Sequence, residues 1–181
     1  MCVAKKASGR SSNVLVSVQA TSPSAPVTGS TTYNDPRWEG NVQNAIVAHL
    51  KADGWTIISA ADTASHARGI DVVAARDGQQ LLIEVKGYPG TTYARGPKAG
   101  QPKPTQPTLQ AKHWLSDAIL KAMRTRGKHA AALVGIGLPD MPRYRSLLAE
   151  IASSLTALDL MVLLVHDDRS VSVWRKDHAA A

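Results

Sequence analysis

The chain has 181 residues, a single cysteine, no phenylalanine and a net charge of +7. That length suffices for one domain with a full apolar core and is short for two. Cys2 alone excludes a disulfide framework or a cysteine zinc cluster and suits a reducing cytoplasm, and no apolar run is long enough to span a membrane.

Met1 to Asn34 is rich in Ser, Thr, Ala and Pro and reads as a disordered leader, so a single domain is expected from Asp35 to Ala181. Val14 to Val18 is the one stretch of the leader with strand character. Asp35-Pro36 is a helix-start signal and Gly54 a stop; between them Trp38, Val42, Ala45, Ile46 and Leu50 recur at helical spacing. Glu39 falls on or beside that apolar stripe. It is either a first-turn acid favoured by the positive helix end or a carboxylate facing a site.

Trp55 to Ser59 reads as a strand and Ala60 to Arg68 as a loop. Next come two apolar runs, Ile70 to Ala75 and Leu81 to Val85, around Asp77-Gly78, a dipeptide that favours a two-residue hairpin turn. If Arg76 and Gln79 close that turn, Asp71 stands opposite Glu84, with Cβ atoms about 5 Å apart. Lys86 points to the same side as Glu84 because side chains alternate with period two. Opposed carboxylates on a sheet are destabilising unless something neutralises them. A divalent cation would do so, and Lys86 as a local counter-ion is the alternative.

Tyr88 to Pro107 is a long Gly- and Pro-studded tract carrying Arg95, Lys98 and Lys103, expected to lack regular structure and to act as a flap over a bound backbone. Thr108 to Arg126 reads as a second helix, Ala130 to Ile136 as a buried strand, and a third helix runs from the Pro139–Pro142 break to about Leu155. Leu160 to Val165 and Val171 to Trp174 are closing strands. The order implies a mixed α/β (α+β) sheet with packed helices. Between Gly87 and His129 eight basic residues, Lys112 among them, face the single acid Asp117, while the rest of the chain balances at thirteen of each sign. The whole charge excess therefore follows the carboxylate hairpin, which suits a polyanionic partner such as nucleic acid. The six histidines have no paired spacing and read as surface or loop residues.

Glu39 on a first helix, then Gly69-Ile70-Asp71, twelve intervening residues and Glu84-Val85-Lys86 resemble the PD-(D/E)xK nuclease superfamily, with its restriction-endonuclease-like core of helix, three strands, helix and strand. The resemblance spans about Pro36 to Ile136. Ile70 stands where that family usually has Pro. Gln110-Ala111-Lys112-His113-Trp114 looks like the Gln-xxx-Tyr motif of some branches, with Trp114 in place of Tyr; core packing is the plainer reading of that tryptophan. The resemblance implies that Asp71, Glu84 and the Val85 carbonyl bind Mg²⁺ or Mn²⁺, with Glu39 as an extra ligand, while Lys86 positions or helps deprotonate the attacking water. It implies that Gln110 orients the site or the backbone and that DNA is cut, in restriction, defence, repair or recombination; the location of the basic charge adds Arg95, Lys98, Lys103 and Lys112 as its expected contacts. A homodimer would match the two-fold symmetry of a duplex. Two other classes stay open: a non-catalytic DNA-binding subunit of a larger nuclease or transposition complex, and a small protein whose basic loop contacts an acidic partner.

Overall fold

The computed structural model describes residues 35–62, 69–93 and 96–175. The expected leader, with its strand-like stretch, and Arg95 lie outside the described residues. The elements are α1 (Glu39–Ala52), β1 (Thr56–Ala60), β2 (Val72–Arg76), β3 (Gln79–Val85), α2 (Pro107–Lys128), β4 (Leu133–Pro139), α3 (Pro142–Glu150), α4 (Ala152–Ala157), β5 (Leu160–Val165) and β6 (Val171–Val173). The six strands form one sheet in sequence order. β2 runs antiparallel to its neighbours β1 and β3; β3, β4 and β5 run parallel, and β6 returns antiparallel to β5. This is the expected mixed α/β sheet, with its core order of helix, three strands, helix and strand.

Each face of the sheet has its own apolar layer. Val42, Ile46 and Leu50 of α1 pack on Val72, Ala74, Ile83 and Val85, whereas Ala111, Leu115, Ala118 and Ala122 of α2 cover Val134, Ile136 and Leu138 with help from α3. The small alanines on that stripe let α2 lie close to the sheet.

Several boundaries differ from the sequence reading, each for a local reason. α1 begins at Glu39 rather than Pro36: the Asp35 carboxylate accepts from the Arg37 N–H at 2.9 Å and its carbonyl from the Trp38 N–H at 3.0 Å, but this turn ends at Trp38, whose ψ of 137° is extended. β4 is displaced toward Pro139, where its register is set by pairing with β3 on one side and β5 on the other. The third helix divides at Ile151, whose φ of −114° and ψ of 13° are not helical. The long tract after Gly87 is not structureless in its described part: Lys103 N–H donates to the Thr91 carbonyl at 2.8 Å and Tyr93 N–H to that of Gln101 at 3.0 Å, so the tract folds back on itself.

Candidate active site

The β2–β3 hairpin turns at Asp77 and Gly78, with φ of 52° and 78°. Both values are positive, which an Asp-Gly pair tolerates where most residues would not. The turn sets the register: Arg76 pairs with Gln79 and Val72 with Ile83. The ladder ends at Val72 and Ile83; just beyond it Asp71 turns its carboxylate to the Val85 N–H, while Glu84 lies on the sheet face covered by α2.

The two carboxylates are neutralised differently. Glu84 is 7% exposed, and its Oε1 accepts from Lys86 Nζ at 2.6 Å and from Lys121 Nζ at 2.8 Å. Lys121 comes from α2 and also lies 3.5 Å from Asp117 one turn before it. Burial works against the Lys121 ammonium, but the hydrogen bond and the charge of Glu84 outweigh it and hold its pKa above the ordinary lysine value. Asp71 Oδ2 accepts from the backbone N–H of Val85 at 2.7 Å. Burial pushes the Asp71 carboxyl up to about 6; the Val85 hydrogen bond opposes this, and the charge of Glu84 adds to it. No hydrogen bond among the described residues reaches the second oxygen of either carboxylate.

Glu39 belongs to the same electrostatic neighbourhood, since its charge acts on Asp71. Its position is set through Gly87. A Cβ on Gly87 would come within 2.7 Å of both the Arg37 carbonyl oxygen and the Glu39 nitrogen, so only glycine lets the start of α1 rest against the end of β3. The contact is closed by Tyr88 N–H donating to the Arg37 carbonyl at 2.9 Å. From the other side the buried Tyr144 hydroxyl donates to the Gly87 carbonyl at 2.8 Å; burial raises the phenol pKa and keeps that donor protonated.

The structure thus brings Asp71, Glu84, Val85 and Lys86 together, with Glu39 at the margin. Gln110 donates its amide to the Thr105 carbonyl at 2.9 Å and ties the preceding loop to α2. The basic residues singled out in the sequence are dispersed. Lys98 lies 5.9 Å from the Tyr93 ring centroid on the excursion after β3, Lys112 is exposed on α2, and Lys103 borders a cleft described below.

The cations nearest the carboxylates are others. A cavity of about 280 Å³ beside Glu84 is lined by Lys121, Arg124, Lys128 and His129 along the outer half of α2, with Leu82 beneath them. All of them fall in the basic segment. Their common side follows from helical spacing, Lys121 to Arg124 to Lys128, and that spacing was the available signal.

A second polar trio stands apart from this site. His166 Nδ1 lies 2.8 Å from an oxygen of Asp140 and its Nε2 2.9 Å from Ser172 Oγ, the order of a nucleophile triad. The Asp140 charge is committed to Arg145, whose hydrogen bonds hold its pKa below the ordinary carboxylate value. We read the trio as a tie between the ends of β4, β5 and β6.

No protein-family model and no curated protein matches the chain. Among solved structures, an XisH family protein from Nostoc punctiforme is similar at a TM-score of 0.43 and 13% identity, over 74% of this chain and 98% of that one. No helix among the described residues is long and apolar enough to cross a membrane.

Proposed function

We propose that this chain is a divalent-metal-dependent nuclease that hydrolyses phosphodiester bonds of DNA. The observation that carries the reading is the convergence of Asp71, Glu84 and Lys86 at one end of a hairpin, with Glu84 buried and the Lys86 ammonium 2.6 Å from it. Buried ionisable groups that are expensive to hold cluster where chemistry uses them.

The donor set fits Mg²⁺ or Mn²⁺. Such ions take oxygen ligands, one or two carboxylates and several waters, and both Asp71 and Glu84 keep an oxygen without a hydrogen bond among the described residues. Asp71, Glu84 and the Val85 carbonyl would hold the ion, with Glu39, whose charge acts on Asp71, as a further candidate. When bound, the ion polarises the scissile phosphate and acidifies a water. Lys86 is held by its strand and by Glu84, so its ammonium is in place to orient that water and to meet charge developing on the phosphate. Lys121 is half-exposed on a helix and can turn from Glu84 to a phosphate. Arg124 and Lys128 continue that cationic line away from the carboxylates.

Two observations favour a second reading, a DNA-binding subunit that keeps the fold without cleaving. Two ammoniums already match the Glu84 charge, and no group of three His, Cys, Asp or Glu side chains suited to a metal occurs among the described residues. Mg²⁺-dependent cleavage of supercoiled, linear and single-stranded DNA, with Asp71→Asn in parallel, separates the two.

Both readings place the polyanion along α2. Arg124→Gln combined with Lys128→Gln is therefore expected to weaken duplex binding and to flatten the slope of log K against log salt by about 0.9 for each phosphate contact removed. Titrations across a range of salt concentrations check this. An unchanged slope would move the contact surface elsewhere, to the excursion carrying Lys98 and Lys103.

A further inference from the structure

A second cleft, of about 520 Å³, lies between the start of α1, the segment after β3 and α2, within the roughly 300–1,000 Å³ of small-ligand sites. Its walls include three half-buried aromatic side chains, Trp38, Tyr88 and Trp114, together with Arg37 and Lys103. Each ring comes from a different element: Trp38 precedes α1, Tyr88 follows β3, and Trp114 lies on α2. Two of them have settled backing. The Trp38 ring lies over Gly40, where a Cβ would meet it at 2.1 Å, and Tyr88 makes an edge contact with the buried Tyr144 at 5.4 Å between centroids.

The charges at the cleft do not cancel. Arg37 is paired with Asp35, which also lines the wall, through a 2.9 Å contact, so Lys103 remains as the net positive group. The cleft therefore offers flat apolar rings and one cation, the combination that single-stranded nucleic-acid sites use for a base and its adjoining phosphate. Two of its wall residues lie close to candidate-site residues along the chain. Tyr88 is two residues after Lys86, no more than about 7.6 Å of chain, and Trp38 adjoins Glu39.

We propose that this cleft receives one unpaired nucleobase, stacked among Trp38, Tyr88 and Trp114, with Lys103 on the adjacent phosphate. The inference rests on the nucleic-acid reading given above and adds its substrate class. A base inside a duplex is stacked on both faces and paired at its edge, and cannot enter without being taken out of the helix. The preferred substrate is then a strand with unpaired nucleotides: a single strand, a flap or an open junction. The base sits in the aromatic cleft, the neighbouring phosphate lies at Asp71, Glu84 and Lys86, and the strand continues along Lys121, Arg124 and Lys128.

The test is metal-free binding of the full chain to a fluorescein-labelled oligothymidylate and to an abasic strand of the same length and charge, read by anisotropy in EDTA. The wild type is expected to bind the strand with bases at least about fivefold more tightly, the lower end of what one base–aromatic stack supplies. Trp114→Leu keeps apolar volume but removes the ring and should erase most of that preference; Trp114→Phe should retain it. Equal binding of the two strands by the wild type, or a preference that survives in Trp114→Leu, would overturn the proposal. Because the assay contains no metal and reads no cleavage, its result is independent of the nuclease reading. Cleavage that depends on Asp71 without any base preference would remove the cleft alone. A base preference without cleavage would support the cleft and count against the nuclease.

Discussion

Lys86→Ala is expected to reduce Mg²⁺-dependent cleavage by about a thousandfold, within the range for a positioned proton-transfer or charge-stabilising group, while DNA affinity stays within about twofold. The separation follows from where the ammonium sits. The Lys86 side chain is only 12% exposed and is directed at Glu84, so it adds little to the field met by an approaching strand. That field belongs to Lys121, Arg124 and Lys128, which line the cavity beside Glu84. Single-turnover cleavage and anisotropy on the same variant check both halves. A large affinity loss with cleavage retained would reassign Lys86 to strand binding.

Neutralising the two carboxylates is expected to change the stability of the metal-free protein in opposite directions. Glu84→Gln leaves the Lys86 ammonium in a mostly buried place with its counter-charge gone, apart from the more distant Asp117 at 3.9 Å. Removing one partner of a buried pair is costly, and a loss of about 2–4 kcal/mol is expected here. Asp71→Asn keeps an oxygen for the Val85 N–H and removes a charge that burial disfavours. The Asp71 pKa is raised to about 6 in the folded protein, so folding favours its protonated form. Its contribution to stability is then fully present below the ordinary aspartate value, and is lost as pH rises through about 6. With solvent screening discounted, Asp71→Asn should gain about 1–2 kcal/mol near pH 8, and the gain should vanish near pH 4. Urea midpoints of the two variants and the wild type at both pH values, with EDTA present, test this. A destabilised Asp71→Asn near pH 8 would mean that the Val85 hydrogen bond outweighs the burial of the charge.

Much of this site was legible in the sequence because it lies within one hairpin. Asp77-Gly78 specifies a turn, the turn specifies a register that runs as far as Val72 and Ile83, and that register brings Asp71, Glu84 and Lys86 to one open end, all within sixteen positions of the chain. What was not legible depends on tertiary approach. Lys121 reaches Glu84 from thirty-seven residues away, and which edge of α2 meets the sheet is decided by the packing of Ala111, Leu115, Ala118 and Ala122. Lys121 is an immediate neighbour of Ala122, a clue that helical spacing offers only once the buried stripe is known. The aromatic cleft is a stronger case: Trp38, Tyr88 and Trp114 belong to separate segments, the two tryptophans alone read as core and Tyr88 as the start of a loop. The Asp35-Pro36 signal caps only a single turn, because Trp38 is extended, with ψ of 137°, and separates that turn from α1.

The central claim is that Asp71 and Glu84 form a metal-dependent hydrolytic centre. It is tested most directly by incubating the wild type and Asp71→Asn with supercoiled, linear and single-stranded DNA, in Mg²⁺ and in EDTA. The account predicts cleavage by the wild type in Mg²⁺ alone and none by Asp71→Asn, which should fold at least as stably. DNA binding without cleavage under every condition, or cleavage that persists in Asp71→Asn, would contradict it.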